Sequence, residues 1–452
     1  MNEQLRIDSL SVTNYRCFRR FDEPIRFEPE LTVLVARNGE GKTAFLDAVK
    51  IALGIFTTSF PVGTQAHFQH SDVHIGGNPP SALYPVTIEA TGLIDSHHER
   101  WSRSLLKAKG RTVNRDAKAL SEYGRRLWQK IQGDEPDVAL PIIAFYGTGR
   151  LWGNSREQNA GTISHLAETR FAGYENALSA RATYAQTKGW LLEAIRTEDS
   201  KEASTTKTGQ HIISQLNAVK KALGKVRGGE GLEKLHYNSF FRDEISVVST
   251  VSTPEGTVPT ALPISWLSDG VRAVFSLVAD IAFRCAKLNP HLGEDACEKT
   301  NGIVMIDEVD IFLHPAWQQR ILGDLHAAFP NIQFIVTTHS PQVISTAPRE
   351  SVRIIDAAEV VPFDMPTVGV GIGDILAGIF GTHPTPQNTA IAQKVNRLHA
   401  MLSEGLGDTP EWKCLYAELE GYFGKDYPPL KGALKHRDFL RTMQKEEGNG
   451  NA

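Results

Sequence analysis

The chain has 452 residues, 41% of them hydrophobic and 22% charged, and its 48 Lys and Arg against 52 Asp and Glu leave a formal net charge of -4. This composition supplies a sizeable packed core and excludes a wholly disordered or collagen-like chain. The near balance of charge argues against coating nucleic acid by bulk attraction, while leaving room for a local basic groove. The N-terminus lacks the basic start and apolar run of a secretory leader. No uncharged apolar stretch approaches the ~18 residues that span a bilayer. Cys17, Cys285, Cys297 and Cys414 form no CxxC pair, so neither a zinc cage nor a disulfide framework is indicated. The expectation is a soluble, cytoplasmic protein without membrane contact.

In chain order, Leu5–Thr13 and Pro24–Phe27 alternate as strands do. Leu31–Ala36 is a nearly continuous apolar run that suits a buried parallel strand. It leads through a glycine loop into a helical run over 44–53. A Gly-, Pro- and His-rich loop over 56–82 precedes two half-exposed strands, near 84–92 and 99–105. Helical spacing follows over 114–131, then a buried strand at Pro141–Tyr146. Residues 160–225 read as mostly helical with a polar break at Thr197–Gly209, too short and irregular for a long coiled coil. Gly228–Gly231 reads as a flexible link into a return hairpin. Helices over 270–287 and 315–328 alternate with strands at Gly302–Ile306 and Ile332–Val336, and the chain beyond 362 is mainly helical.

Four constellations carry chemistry. Residues 36–43, Ala-Arg-Asn-Gly-Glu-Gly-Lys-Thr, match a phosphate-binding loop except that Ala36 replaces its first glycine. Gly39 and Gly41 would let backbone N–H groups curl around phosphate, Lys42 would reach the β- and γ-phosphates, and the Thr43 hydroxyl would ligate Mg2+. Ile303–Ile306 is an apolar strand from whose end Asp307 and Glu308 emerge, at the sheet edge where open parallel sheets bind ligands. Asp307 is placed to hold the metal and Glu308 to polarise a water. His339 follows the next buried strand, where it would contact the γ-phosphate. Ser268-Asp-Gly270-Val-Arg272 opens a helix; the same residues would serve as an ordinary N-cap or as an anion site.

Lys42 and Asp307 lie 265 positions apart (307 − 42), and a large stretch folds between them. This split layout, with Leu267-Ser-Asp-Gly270, Asn14-Tyr-Arg16-Cys-Phe18, Asp307–Gln318 and Thr338-His339-Ser340, resembles the ABC-type ATPase heads of the SMC, RecF and OLD group. The resemblance implies an α/β fold: an ABC-ATPase head with a parallel-sheet nucleotide-binding core, an antiparallel β subdomain, a short helical insertion and a helical C-terminal segment. The implied divisions are 1–150, 151–235, 236–361 and 362–452. It also implies ATP and Mg2+ as cofactors and nucleotide contacts from Arg16 and from Arg37, Asn38, Gly39, Glu40, Gly41, Lys42 and Thr43. Glu308 and His339 would be catalytic, Thr43 and Asp307 metal-holding. Ser268, Asp269, Gly270 and Arg272 would close over ATP on a second subunit of a homodimer or higher oligomer. No glutamine occupies the place usual after the strand ending at Tyr146.

Tyr146–Trp152, Arg170–Glu175 and Pro330–Gln342 also resemble the ATPase subunits of Septu anti-phage systems, the PtuA family, and ATPases that accompany retrons. That likeness implies a separate HNH nuclease partner, with DNA contacted through the complex. Two alternatives stay open. A RecF-like DNA clamp would use Lys107, Lys109, Arg111, Arg115, Arg125 and Arg126, or Lys220, Lys221, Lys225 and Arg227. An ATP-gated interaction module would use the same site with little turnover.

Overall fold

The computed structural model describes residues 5–36, 39–63, 66–133, 135, 137–151, 169–179, 184–226, 231–237, 244–253, 256–356, 359–361, 364–382 and 387–449. Arg37, Asn38, Trp152, Arg227 and the Gly228–Glu230 link lie outside them.

The strands, in order, are β1 (Leu5–Tyr15), β2 (Phe18–Arg20), β3 (Ile25–Arg26) and β4 (Leu31–Ala36), which enters helix α1 (Lys42–Thr57). A small hairpin of β5 (Ile75–Gly76) and β6 (Ser81–Ala82) precedes β7 (Val86–Ile94), β8 (His97–Leu105), α2 (Lys118–Gln132) and β9 (Ile142–Tyr146). Then come α3 (Tyr184–Asp199), α4 (Lys207–Gly224), β10 (Leu235–Tyr237), β11 (Ile245–Thr253), β12 (Gly256–Pro263) and α5 (Asp269–Leu288). After α6 (Ala296–Lys299) follow β13 (Gly302–Ile306), α7 (Pro315–Gln318), α8 (Ile321–Ala328), β14 (Ile332–Thr338) and α9 (Pro341–Ile344). The chain ends with β15 (Val352–Asp356), β16 (Glu359–Val361), α10 (Ile372–Phe380), α11 (Ala390–Ser403), α12 (Pro410–Phe423) and α13 (Pro428–Asn449).

The larger layer is a six-stranded sheet in the order β16-β15-β4-β14-β13-β9, parallel except for β16. Every residue of β9, β13 and β14 is buried, as expected for strands covered on both faces. The antiparallel layer β2-β1-β7-β8 shows the other pattern: β7 alternates buried and half-buried along its whole length. This is the α/β architecture of a parallel core and an antiparallel β layer that the motif order implies. Gln333 joins the two layers, exchanging hydrogen bonds with the Ile7 backbone at 3.0 and 2.8 Å.

The structure revises two sequence expectations. The single helix predicted over 315–328 is two pieces, α7 and α8. Arg320 leaves helical geometry at φ −125°, while the Gln318 amide donates to the Leu313 carbonyl at 2.9 Å and its carbonyl accepts from Ser340 Oγ at 2.8 Å. Tertiary bonds thus bend a segment whose periodicity alone favours continuity. The predicted basic cluster on α4 is also neutralised: Lys220 pairs with Glu198, Lys221 with Asp295 and Glu298, and Lys225 with Glu298.

The chain divides into two compact units, Met1–Gly371 and Ile372–Ala452. Residues Thr367 and Gly369 stay with the first unit, donating to Ala347 O at 2.6 Å and Ser345 O at 3.0 Å. In the second unit α11, α12 and α13 bury Leu398, Met401, Leu402, Trp412, Leu419, Leu430 and Ala433 together, so their apolar spacing is used for a core of their own. Among the described residues no helix is long and apolar enough to cross a membrane.

Candidate active site

The phosphate loop is shaped by its neighbours. Gly41 caps α1 with φ 100°, and a Cβ there would stand 2.5 Å from Cys17 Sγ and 2.6 Å from Phe18 Cζ. Both the dihedral and the space demand glycine. Gly39 also has positive φ, 86°. Ala36 shows why the departure from the loop pattern is tolerated. It is the last residue of β4, paired in extended backbone with Ile355, where no glycine is needed.

Lys42 is 7% exposed, and its ammonium donates to the Ala36 carbonyl at 3.0 Å and stands 2.5 Å from His339 Nε2. Burial lowers the Lys42 pKa, opposed by the carboxylates of Asp307, Glu308, Glu40 and Asp310. Burial, then the Lys42 charge, likewise pushes His339 below the ordinary imidazole value, with Asp310 and Asp307 pulling the other way. Both groups thus have a lowered tendency to carry positive charge, and a phosphate arriving between them would favour the charged form of both.

Across 264 residues of sequence, Thr43 Oγ1 donates to Asp307 Oδ2 at 2.8 Å. Asp307 is fixed from two further directions. Its N–H donates to Tyr146 O at 2.8 Å, and its Oδ1 accepts from Thr337 Oγ1 at 2.7 Å. The same Thr337 hydroxyl accepts the Glu308 N–H at 2.7 Å. Glu308 adopts φ 49°, a left-handed conformation that costs a non-glycine residue about 1–2 kcal/mol. Thr337 therefore anchors both carboxylate residues, one of them strained. A hydroxyl and a carboxylate are the hard oxygen donors Mg2+ takes, and that ion completes its shell with water and phosphate rather than a protein cage. Among the described residues no cluster of three His, Cys, Asp or Glu is placed to hold a metal.

Five of the residues singled out by sequence thus converge: Lys42, Thr43, Asp307, Glu308 and His339, with Glu40 close enough to act on Lys42 electrostatically. Arg16 takes a bracing position, donating to Asp47 of α1 and to Asp72, both at 2.8 Å. The residues that the ABC-type resemblance makes its signature motif, Ser268–Arg272, have local partners. Ser268 caps α5, accepting from Val271 N at 3.4 Å, and Arg272 pairs with Asp269. A Cβ on Gly270 would come within 2.7 Å of the Phe312 carbonyl, so glycine lets α5 start against the 310–313 turn. Their side-chain bonds stay within the first turn of α5, whereas Lys42 and Thr43 bond to Ala36 at the end of β4, to Asp307 after β13 and to His339 after β14.

Sequence reasoning passed over three site residues. Thr337 could have been suspected from a hydroxyl at the buried end of β14, one strand from the carboxylates. Asp310, which accepts from Thr338 Oγ1 and acts electrostatically on Lys42 and His339, follows Asp307 by three positions and looks like any loop carboxylate. Gln318, linking the Leu313 carbonyl to Ser340, gives no local signal at all.

The sequence matches, over residues 31–345, the protein family described as "AAA domain, putative AbiEii toxin, Type IV TA system". It is 25% identical over 480 residues to the retron Ec83 probable ATPase of Escherichia coli, an alignment covering 94% of this chain and 85% of that protein. A 75-residue stretch is 45% identical to the Septu protein PtuA of Bacillus mycoides (strain KBAB4), covering 17% of this chain and 10% of PtuA. Among solved structures, the SMC head domain from Thermotoga maritima aligns with 80% of this chain and 100% of its own at 17% identity and a TM-score of 0.42.

Proposed function

We propose that this chain, which belongs to that AAA-domain family of ATPases, binds ATP with Mg2+ and hydrolyses it as the regulatory subunit of an anti-phage defence complex. The observation that carries the ATPase reading is the convergence, within direct hydrogen-bond reach, of Lys42 and Thr43 at the start of α1 with Asp307 after β13 and His339 after β14. In this reading Lys42 leaves His339 to donate to β- and γ-phosphate oxygens, and the α1 N-terminus adds its backbone N–H groups. Bound Mg2+, held by Thr43 and Asp307, would neutralise phosphate charge. Glu308, held by Thr337 through its backbone N–H, accepts the proton of the attacking water. His339 donates to the γ-phosphate, stabilising charge that grows in the transition state. Arg16 keeps α1 in place through Asp47.

A single chain cradles the phosphates from one side. The N-terminus of α5, with Ser268 and Asp269 exposed, supplies the kind of anion-binding end that would close the other side on a second copy. Hydrolysis would then open the pair, since ATP shifts such an equilibrium only by binding one state better. The defence role rests on similarity to a retron ATPase and, over a shorter stretch, to a Septu protein; control of a separate HNH nuclease by this ATP cycle is the finer form of the proposal.

Phosphate release by the purified chain tests the first part. Lys42→Ala is expected to abolish ATP binding, and Glu308→Gln to retain it within a few-fold while slowing turnover by about 100-fold or more. Phosphate release by Lys42→Ala equal to the unmodified chain overturns the site. Co-expression with a neighbouring HNH nuclease tests the second part: phage protection that survives Lys42→Ala removes ATP from the control of that partner.

A further inference from the structure

Behind the site lies a polar cluster that the chemistry above does not use. Tyr146, at the end of β9, donates its hydroxyl to Asp280 Oδ2 at 2.7 Å. Asp280 lies in the middle of α5 and also accepts from Arg284 Nε at 2.7 Å and Thr187 Oγ1 of α3 at 2.5 Å. Arg284 Nη1 donates onward to the Gly173 and Glu175 carbonyls at 2.8 and 3.1 Å. All four residues are at most 2% exposed. Burial pulls the Arg284 pKa down, but the Asp280 charge together with Tyr146 and the hydrogen bonds to both outweighs it and leaves the pKa raised.

A buried ion pair is a poor way to fill a core, because apolar residues of similar volume usually serve stability as well. What this one does is join two parts of the site. Tyr146 O is the acceptor of the Asp307 N–H, so a single residue holds the metal-binding carboxylate through its backbone and the signature helix through its side chain. Asp280 stands 12 residues after Ser268 (280 − 268), or about 18 Å along a helix at ~1.5 Å per residue. With α5 acting as a lever of that length, a tilt of about 5° at Asp280 displaces Ser268 by about 1.5 Å, the size of shift that switches interfaces.

We infer that Tyr146 is a positioning residue that couples occupancy of the phosphate and metal site to the stance of the α5 N-terminus in the same chain, through the Tyr146–Asp280 hydrogen bond. The inference rests on the two-copy ATPase reading above. It places the coupling in a phenol where a glutamine is absent from the sequence. ATP that draws on Thr43 and Asp307 shifts the end of β9, and the rigid, fully bonded carboxylate passes that shift to α5.

The test compares Tyr146→Phe with Tyr174→Phe. Tyr174 is an equally buried tyrosine whose hydroxyl bonds the Pro141 carbonyl at 2.7 Å, just before β9 begins, and does not reach Asp280. Three quantities are read: ATP affinity by equilibrium dialysis, the protein concentration at which ATP drives self-association in a Glu308→Gln background, and steady-state kcat and KM. Tyr146→Phe is expected to keep ATP affinity and KM within about twofold, raise the association midpoint about tenfold and lower kcat about tenfold, while Tyr174→Phe stays within about twofold throughout. Thr187→Val, which strips the other oxygen of the same carboxylate, should raise the midpoint about threefold and serves if Tyr146→Phe folds poorly. Unchanged midpoints in both the Tyr146 and Thr187 variants, or equal effects at Tyr146 and Tyr174, overturn the coupling. An unmodified chain that binds no ATP, or binds it without associating, instead overturns the reading on which the coupling rests.

Discussion

Removing the Thr337 hydroxyl while keeping its shape should disarm the site without emptying it. In Thr337→Val the Glu308 N–H and Asp307 Oδ1 each lose a 2.7 Å bond at a side chain that is 0% exposed. Leaving one buried donor without a partner costs about 1–3 kcal/mol, and the carboxylate, still served by Thr43, adds about 1 kcal/mol. Relaxation of Glu308 from its left-handed conformation returns about 1–2 kcal/mol, so the net loss at mid-range is about 1.5 kcal/mol. Spread over the 371 residues of the first unit, at ~2.1 cal/mol/K per residue, this lowers Tm by about 2 °C. The effect on turnover is larger, because the relaxation that lowers the cost also swings Glu308 from its position. A fall in kcat of about 10- to 100-fold is expected with KM nearly unchanged. Thr337→Ser, which keeps the hydroxyl, should stay within about threefold. Calorimetry together with steady-state phosphate release checks both numbers. A valine variant that melts lower by the stated amount yet retains kcat within twofold would falsify the claim that this hydroxyl sets the Glu308 geometry.

Gly41→Ala should abolish ATP binding while Ala36→Gly leaves it within about twofold: the first inserts a methyl against Cys17 and Phe18, the second only loosens a paired strand at a cost of about 0.5–1 kcal/mol. Isothermal titration of both decides, and equal losses would contradict the distinction between the two positions. The pH dependence of ATP affinity should carry a His339 component. Burial and Lys42 hold its pKa low in the free chain, and an arriving phosphate raises it, so binding takes up a proton. Affinity is then higher on the acid side and falls as pH rises through the raised value, and His339→Gln should flatten the slope between about pH 6 and 8; parallel slopes would refute this. The folded chain shows the opposite linkage at the same residue. Its depressed pKa contributes stability that is intact above about pH 6.5 and lost as pH falls through the depressed value, which acid titration of Tm in the same two proteins reads out.

Four strands of the six-stranded sheet, β4, β9, β13 and β14, were legible from local pattern because burial leaves continuous apolar runs, whereas β15 and β16 at its edge were not read from the sequence. Leu31–Ala36 and Gly302–Ile306 appear with the expected bounds. The helix opened by Ser268 was equally plain, since capping is local chemistry. Where the reading departed from the structure, long-range bonds had overruled local preference. Gln318 bends the 315–328 helix by reaching Leu313 and Ser340, and the lysines of α4 spend their charge on Asp295 and Glu298, more than 70 positions away.

The residue types and spacings of the phosphate loop, the carboxylate pair and the histidine were enough to single out Lys42, Thr43, Asp307, Glu308 and His339, which the fold brings together, because a glycine loop, an apolar strand end and a helix cap are each decided within a few residues. Which side chain holds which was decided only by the fold. Parallel pairing of β4, β14 and β13 sets three strand ends side by side. Thr43 there meets Asp307, Lys42 meets His339, and Thr337 holds a strained Glu308. The Tyr146–Asp280 bond has the same origin: two residues 134 positions apart, each unremarkable locally, share one buried hydrogen bond because β9 lies against α5.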